Sequence, residues 1–170
     1  MNLSYKELIP TNFSADSRVW IYQCNRRFTI SEAIEIEEKL NEFTHNWKSH
    51  QVPVKGFGTL FFGQFIVLMA DETESGVSGC STDSSVRLIK SIEQTYNVGL
   101  FERTLLAFII KEKIELLPIS QLNYAFENNF INGETLFFDN NIQNKDSLIN
   151  NWIVPVQHSW IWKRISKSVS

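Results

Sequence analysis

The chain has 170 residues, of which 43% are hydrophobic and 21% charged, and a formal net charge of −3. A chain this long buries roughly 70% of the surface its unfolded form exposes, so it needs no staple of metal or disulfide. Sixteen basic against nineteen acidic residues offer no electrostatic case for nucleic acid or an anionic membrane as partner.

The first segment, Met1 to Ser17, carries Lys6, Glu7 and Asp16 and has no basic stretch followed by an apolar one. It is not a secretory signal. The most apolar runs, Phe65 to Ala70 and Leu105 to Ile110, fall far short of the ~20 residues of a spanning helix. The two cysteines, Cys24 and Cys80, are too few for a disulfide framework and too isolated for a zinc ribbon. A cytoplasmic protein without a cofactor is expected.

Arg18 to Gln23 holds Val19, Trp20, Ile21 and Tyr22 in a row and reads as a strand buried on both faces. Ala33, Ile36, Leu40, Phe43 and Trp47 then recur at helical spacing, with Thr29 and Glu32 forming a capping box at the start. Glu35, Glu37, Glu38 and Glu42 occupy the other faces as a solvated surface. Phe57 to Phe62 and Phe65 to Ala70 form a hairpin about a turn at Gly63-Gln64. A loop rich in Ser, Gly and Thr follows, from Asp71 to Ser85. A second helix starts near Ser81 to Asp83, points Val86, Ile89, Ile92 and Tyr96 inward, and ends at Asn97 or Gly99. Leu105 to Ile110 is the fourth strand, with Ile114 to Leu117 placed to pair with it.

That order, β-α-β-β-α-β, predicts an α+β fold of the ferredoxin-like type over residues 18–110: an antiparallel sheet with helices on one face. Residues 111–170 read as a C-terminal extension within one domain. Gln121 to Phe130 and Lys145 to Asn151 suggest short helices, and Thr135 to Phe138 looks extended. The nine asparagines between Asn123 and Asn151 suit turns and caps. Trp152, Trp160 and Trp162 make the end aromatic enough to pack back on the core.

In a split βαβ unit the first and third strands lie parallel, and their C-terminal ends share an edge where ligands settle. This brings Asn25, Arg26 and Arg27 beside Asp71, Glu72, Ser78, Gly79, Ser81 and Thr82. The arginines would grip a phosphate or carboxylate, while hydroxyls and backbone N–H groups complete the site. Asp71, Glu72, Glu74 and Asp83 would repel an anion unless they face away. The competing reading makes Ser81, Thr82 or Asp83 a plain N-cap beside a surface loop.

Cys80, near a helix N-terminus and an arginine, is the candidate nucleophile. No histidine is placed to serve as its base: His45 and His50 lie at or after the first helix, and His158 is in the tail. His45 and His50 are five apart, which excludes a shared helical face for a metal. Gly58 to Gly63 has Walker A glycine spacing, but Gln64 and Phe65 stand where Lys and Ser or Thr are required.

The runs Ser17 to Gln23, Asn25 to Phe28, Phe65 to Met69 with Asp71-Glu72, and Ser78 to Ser81, together with Trp152 and Ser159-Trp160, resemble a family of short bacterial proteins. Its members often carry the label ABC transporter ATPase, whose motifs this sequence lacks. The resemblance implies a family and no catalytic residue.

The leading reading is a protein binding a small anionic ligand at the paired loops, with chemistry at Cys80. The alternatives are an interaction module that forms a homodimer through a sheet face or the Trp-rich tail, and a thiol redox sensor using Cys24 and Cys80.

Overall fold

The run Val19 to Tyr22 places β1 at Arg18–Gln23, half-buried and not enclosed on both faces as predicted, since only Val19 and Gln23 are buried; the Thr29 capping box opens α1 at Ile30–Asn46. A two-residue hairpin, β2 (Lys48–Ser49) and β3 (Val52–Pro53), leads into β4 (Lys55–Phe61) and β5 (Phe65–Asp71). Then come α2 (Gly79–Tyr96), β6 (Leu105–Ile110), β7 (Lys113–Pro118), α3 (Leu122–Glu127) and β8 (Leu136–Phe138). The chain ends through α4 (Lys145–Asn151), β9 (Ile153–Pro155) and α5 (Trp160–Ser166). This structure, a computed structural model, describes residues 2–74 and 76–166; Ser75 of the predicted loop lies outside the described residues.

The helices and antiparallel sheets make the fold α+β, as predicted. The ferredoxin-like arrangement does not form. One sheet has the order β1-β5-β4, and β1 runs antiparallel to β5, with Arg18 opposite Ala70 and Gln23 opposite Phe65. A ferredoxin-like unit requires that pair to be parallel. β6 does not join this sheet. It is central in a second one, ordered β7-β6-β8-β9, together with strands of the predicted extension.

Side-chain alternation stacks the two sheets. All seven residues of β5 are buried. Phe65, Val67 and Met69 face a core shared with Ala107 of β6 and Phe138 of β8. Ile66 and Leu68 face the opposite way, onto Ile36 and Leu40 of α1 and Ile89 and Ile92 of α2. In β6 and β8, Leu106, Phe108 and Phe137 face Leu122 and Ala125 of α3 and Ile161 and Ile165 of α5. The layers are therefore helix, sheet, sheet, helix. A strand buried on both faces gains apolar burial along its whole length, which places β5 at the centre.

The expected aromatic packing of the tail is real for Trp152, which is fully buried, edge-on to Tyr5 at 4.9 Å and to Phe65 at 5.4 Å. Its indole N–H donates to Asn140 Oδ1 at 3.0 Å. Asn140 Nδ2 in turn donates to Gln23 Oε1, and Gln23 Nε2 donates to the Leu105 carbonyl. This chain of polar contacts ties β1 to the second sheet with its buried groups satisfied. Trp162 packs against Phe126 of α3, whereas Trp160 remains 38% exposed.

Both edges of the first sheet carry backbone partners. The Val19 N–H donates to the Gln143 carbonyl along β1, and Glu37 of α1 accepts from the Leu60 N–H of β4 at 2.7 Å. Such caps leave few unpaired backbone groups for edge-to-edge pairing.

Candidate functional site

The antiparallel pairing of β1 and β5 divides the predicted site. The β1–α1 loop follows the C-terminal end of β1, beside the start of β5. The β5–α2 loop leaves from the far end. A seven-residue strand separates them by about 20 Å, so no ligand of metabolite size touches both. The expected convergence is corrected on that ground.

At the first end, Asn25 exchanges hydrogen bonds with Gly99: backbone N–H to carbonyl at 3.0 Å, and the Gly99 N–H to Asn25 Oδ1 at 3.0 Å. Arg26 is engaged within the fold. Its guanidinium donates to both Glu32 carboxylate oxygens at 2.8 Å and to the Tyr96 carbonyl at 3.0 Å. The fork that was expected to hold a ligand instead joins the start of α1 to the end of α2. Those bonds, and the Thr29 N–H, hold the Glu32 carboxyl down at about 2. Arg27 is exposed, and its guanidinium has no hydrogen bond or ion pair among the described residues.

At the second end, Asp71 is 2% exposed and accepts from Lys55 at 2.9 Å, the Ser14 N–H at 3.1 Å and both donors of Thr73. Burial alone would raise its pKa, but these hydrogen bonds outweigh burial and hold it well below the usual carboxylate range. It is an anchor for the N-terminal segment. Glu72 accepts from the Val77 N–H at 2.8 Å and lies 3.8 Å from Arg18. Neither acid faces a ligand space.

Ser78 is the N-cap of α2, three residues before the predicted start; its Oγ accepts from the Ser81 N–H. Thr82 Oγ1 donates back to the Ser78 carbonyl at 3.2 Å. Ser81 is buried, and its carbonyl accepts from the Trp47 indole at 3.1 Å. The Ser78 N–H donates to Ser49 Oγ. These hydroxyls therefore serve the helix and its neighbours. A Cβ on Gly76 or Gly79 would meet nothing within 4 Å, so neither glycine marks a close approach.

Cys24 is fully buried and Cys80 exposed. The Cys24 N–H donates to the Gln64 carbonyl at the start of β5, while Cys80 lies beyond its end. The strand length keeps them far outside the 4.4–6.8 Å Cα separation of a disulfide. Burial pushes the Cys24 thiol up. An internal Cys24–Cys80 switch is thereby excluded. No group of three or more His, Cys, Asp or Glu that could hold a metal occurs among the described residues.

The structure adds a site that sequence reasoning missed. Cys80 lines an open groove of 620 Å³ between α1 and α2. Lys39, Glu42, Phe43 and Asn46 present one stripe of α1, and Cys80, Ser84, Arg87 and Leu88 face them from α2. Trp47 and Lys48 close one end. The side chains of Lys39, Lys48 and Arg87 have no hydrogen bond or ion pair among the described residues, and Glu42 is the one carboxylate on the wall. Trp47 sits where it does because residue 56 is glycine: a Cβ there would stand 2.8 Å from Trp47 Cε3. Both stripes were readable as helical spacing, but only the packing of α1 against α2 brings them together.

No protein-family model, curated protein or solved structure matches this chain. Gly58 lies within β4 and Gly63 in the β4–β5 turn, so the Walker-like glycine spacing forms a hairpin and no phosphate cradle. No helix among the described residues is long and apolar enough to cross a membrane.

Proposed function

We propose that the chain binds a small phosphate- or carboxylate-bearing molecule in the α1–α2 groove. One observation carries this reading: three cations whose side chains have no acidic partner among the described residues, Lys39, Lys48 and Arg87, line a concavity shared with Phe43, Trp47 and Leu88. Cations left unpaired around low-dielectric walls focus the field on an incoming anion. Phe43, Trp47 and Leu88 would cover the apolar part of the ligand, and the Cys80 thiol and Ser84 hydroxyl lie at its edge. The volume lies in the range of small-molecule sites. The paired loops of the sequence reading yield to the groove, which retains only Cys80 from that set.

The test is calorimetric titration of inorganic phosphate and phenyl phosphate into the wild type, Lys48→Ala, Arg87→Ala and Arg27→Ala. Loss of one charge-assisted contact costs roughly tenfold or more in affinity. The two groove variants are expected to lose that much, and Arg27→Ala nothing. Equal affinity in all four proteins would remove the proposal.

A second reading, association through the outer helical layer, draws on Tyr124 and Phe130. These are 64% and 60% exposed and stacked with centroids 6.3 Å apart. Sedimentation of the wild type and Tyr124→Ser decides it: a dimer lost in the variant favours it, and a monomeric wild type removes it.

A further inference from the structure

A second cavity of 800 Å³ opens at the opposite end of the molecule, between the β4–β5 turn and the β6–β7 hairpin. Its apolar wall is made by Phe62, Ile114 and Leu116, whose half-buried side chains pack against the core between the two sheets. Three polar side chains of the β1–α1 loop and the turn also line it: Arg26, Arg27 and Gln64. Arg26 is already held by Glu32 and the Tyr96 carbonyl. Arg27 is not, and its Nε lies 3.3 Å from where a Cβ on Gly63 would stand, so glycine lets the guanidinium lie over the turn.

Gln64 is only 4% exposed. Its Nε2 donates to the Cys24 carbonyl at 3.1 Å, which leaves Oε1 as an acceptor without a partner among the described residues. Ser17 Oγ is the one fully buried side-chain polar atom lacking a hydrogen bond among those residues. Gln64 Oε1 is therefore reached from the cavity, the space its residue borders. Asn2, Glu112, Lys113 and Glu115 complete the lining, so the rim carries charges of both signs, as a zwitterion requires.

We propose that this cavity binds an α-amino acid with an apolar side chain. The carboxylate pairs with Arg27, the ammonium donates to Gln64 Oε1, and the side chain covers Phe62, Ile114 and Leu116. A free guanidinium and a buried free acceptor above one apolar wall match the three parts of such a zwitterion. A simple anion would leave Gln64 Oε1 unpaired, and a simple amine would leave Arg27 without its counter-ion.

Calorimetry with L-leucine, 4-methylpentanoate and 3-methylbutylamine on Arg87→Ala, which weakens anion binding in the α1–α2 groove, and on the same protein with Arg27→Ala added tests this. L-leucine is expected to bind Arg87→Ala, with each truncated analogue weaker by roughly tenfold or more. Arg27→Ala is expected to lose a similar factor. Arg27 is exposed, so an unchanged Tm will show that this variant is folded. The proposal is overturned if L-leucine, L-methionine and L-phenylalanine all fail to bind, if 4-methylpentanoate binds as well as L-leucine, or if Arg27→Ala retains full affinity.

Discussion

Arg26 grips both carboxylate oxygens of Glu32 at 2.8 Å, and the same guanidinium reaches the Tyr96 carbonyl at the last turn of α2. One ion pair thus fastens the start of one helix to the end of the other.

The pair has a pH signature. Glu32 titrates at about 2 in the fold against an ordinary value of 4.5. A carboxyl with a lowered folded pKa contributes stability that is complete above its unfolded value and lost as pH falls toward the folded one. The stability of the wild type is expected to fall between pH 4.5 and about 2, and Glu32→Gln to flatten that part of the curve. Urea unfolding at several pH values measures it; parallel curves would remove Glu32 as the cause.

Gly56 and Gly79 make opposite predictions. A Cβ at position 56 would press on Trp47 Cε3 at 2.8 Å, whereas one at position 79 meets open space. Gly56→Ala should cost about 1–3 kcal/mol as an overpacked site and shift the Trp47 emission. Gly79→Ala, in the first turn of α2, should be neutral or add about 0.5 kcal/mol. Denaturant midpoints with tryptophan fluorescence compare the two directly.

Asn140 bridges the Trp152 indole and Gln23 Oε1. Asn140→Ala orphans both and is expected to cost about 1–3 kcal/mol for each group left without water or partner. Thermal unfolding measures the loss. A Tm unchanged from the wild type would mean that the two sheets are held by apolar packing alone.

Thiol chemistry separates the two cysteines. A soluble thiol reagent is expected to modify Cys80 at once and Cys24 only after denaturation, because Cys24 has no exposed surface. Mild oxidants are expected to leave the intact chain without an internal cross-link. Mass spectrometry of the non-reduced protein checks this, and a Cys24–Cys80 peptide would contradict the strand pairing itself.

Local patterns carried the elements well. Thr29 and Glu32 announced the start of α1, Asn97 ended α2 in a left-handed conformation, and Gly63 marked the β4–β5 hairpin. The start of α2 was placed too late because Ser81 and Ser85 fell within a stretch rich in Ser, Gly and Thr that reads as loop. In the fold both are buried, with Ser81 Oγ paired to Ser78 and Ser85 Oγ donating to the Thr82 carbonyl. A hydroxyl that bonds back into its own helix can be buried at little cost, and spacing alone does not reveal it.

The arithmetic of 170 near-neutral residues, with their periodicity, determined an α+β chain with an apolar hairpin strand at Phe65 to Ala70 and an aromatic tail. Strand direction was left to tertiary structure. Six apolar residues in a row, Phe65 to Ala70, satisfy a parallel or an antiparallel neighbour equally, and periodicity carries no sign for direction. The choice fell to packing: β5 gains most by meeting helices on one face and the second sheet on the other. That choice sent the β1–α1 and β5–α2 loops to opposite ends, separated Cys24 from Cys80, and opened a cavity at each end of the molecule.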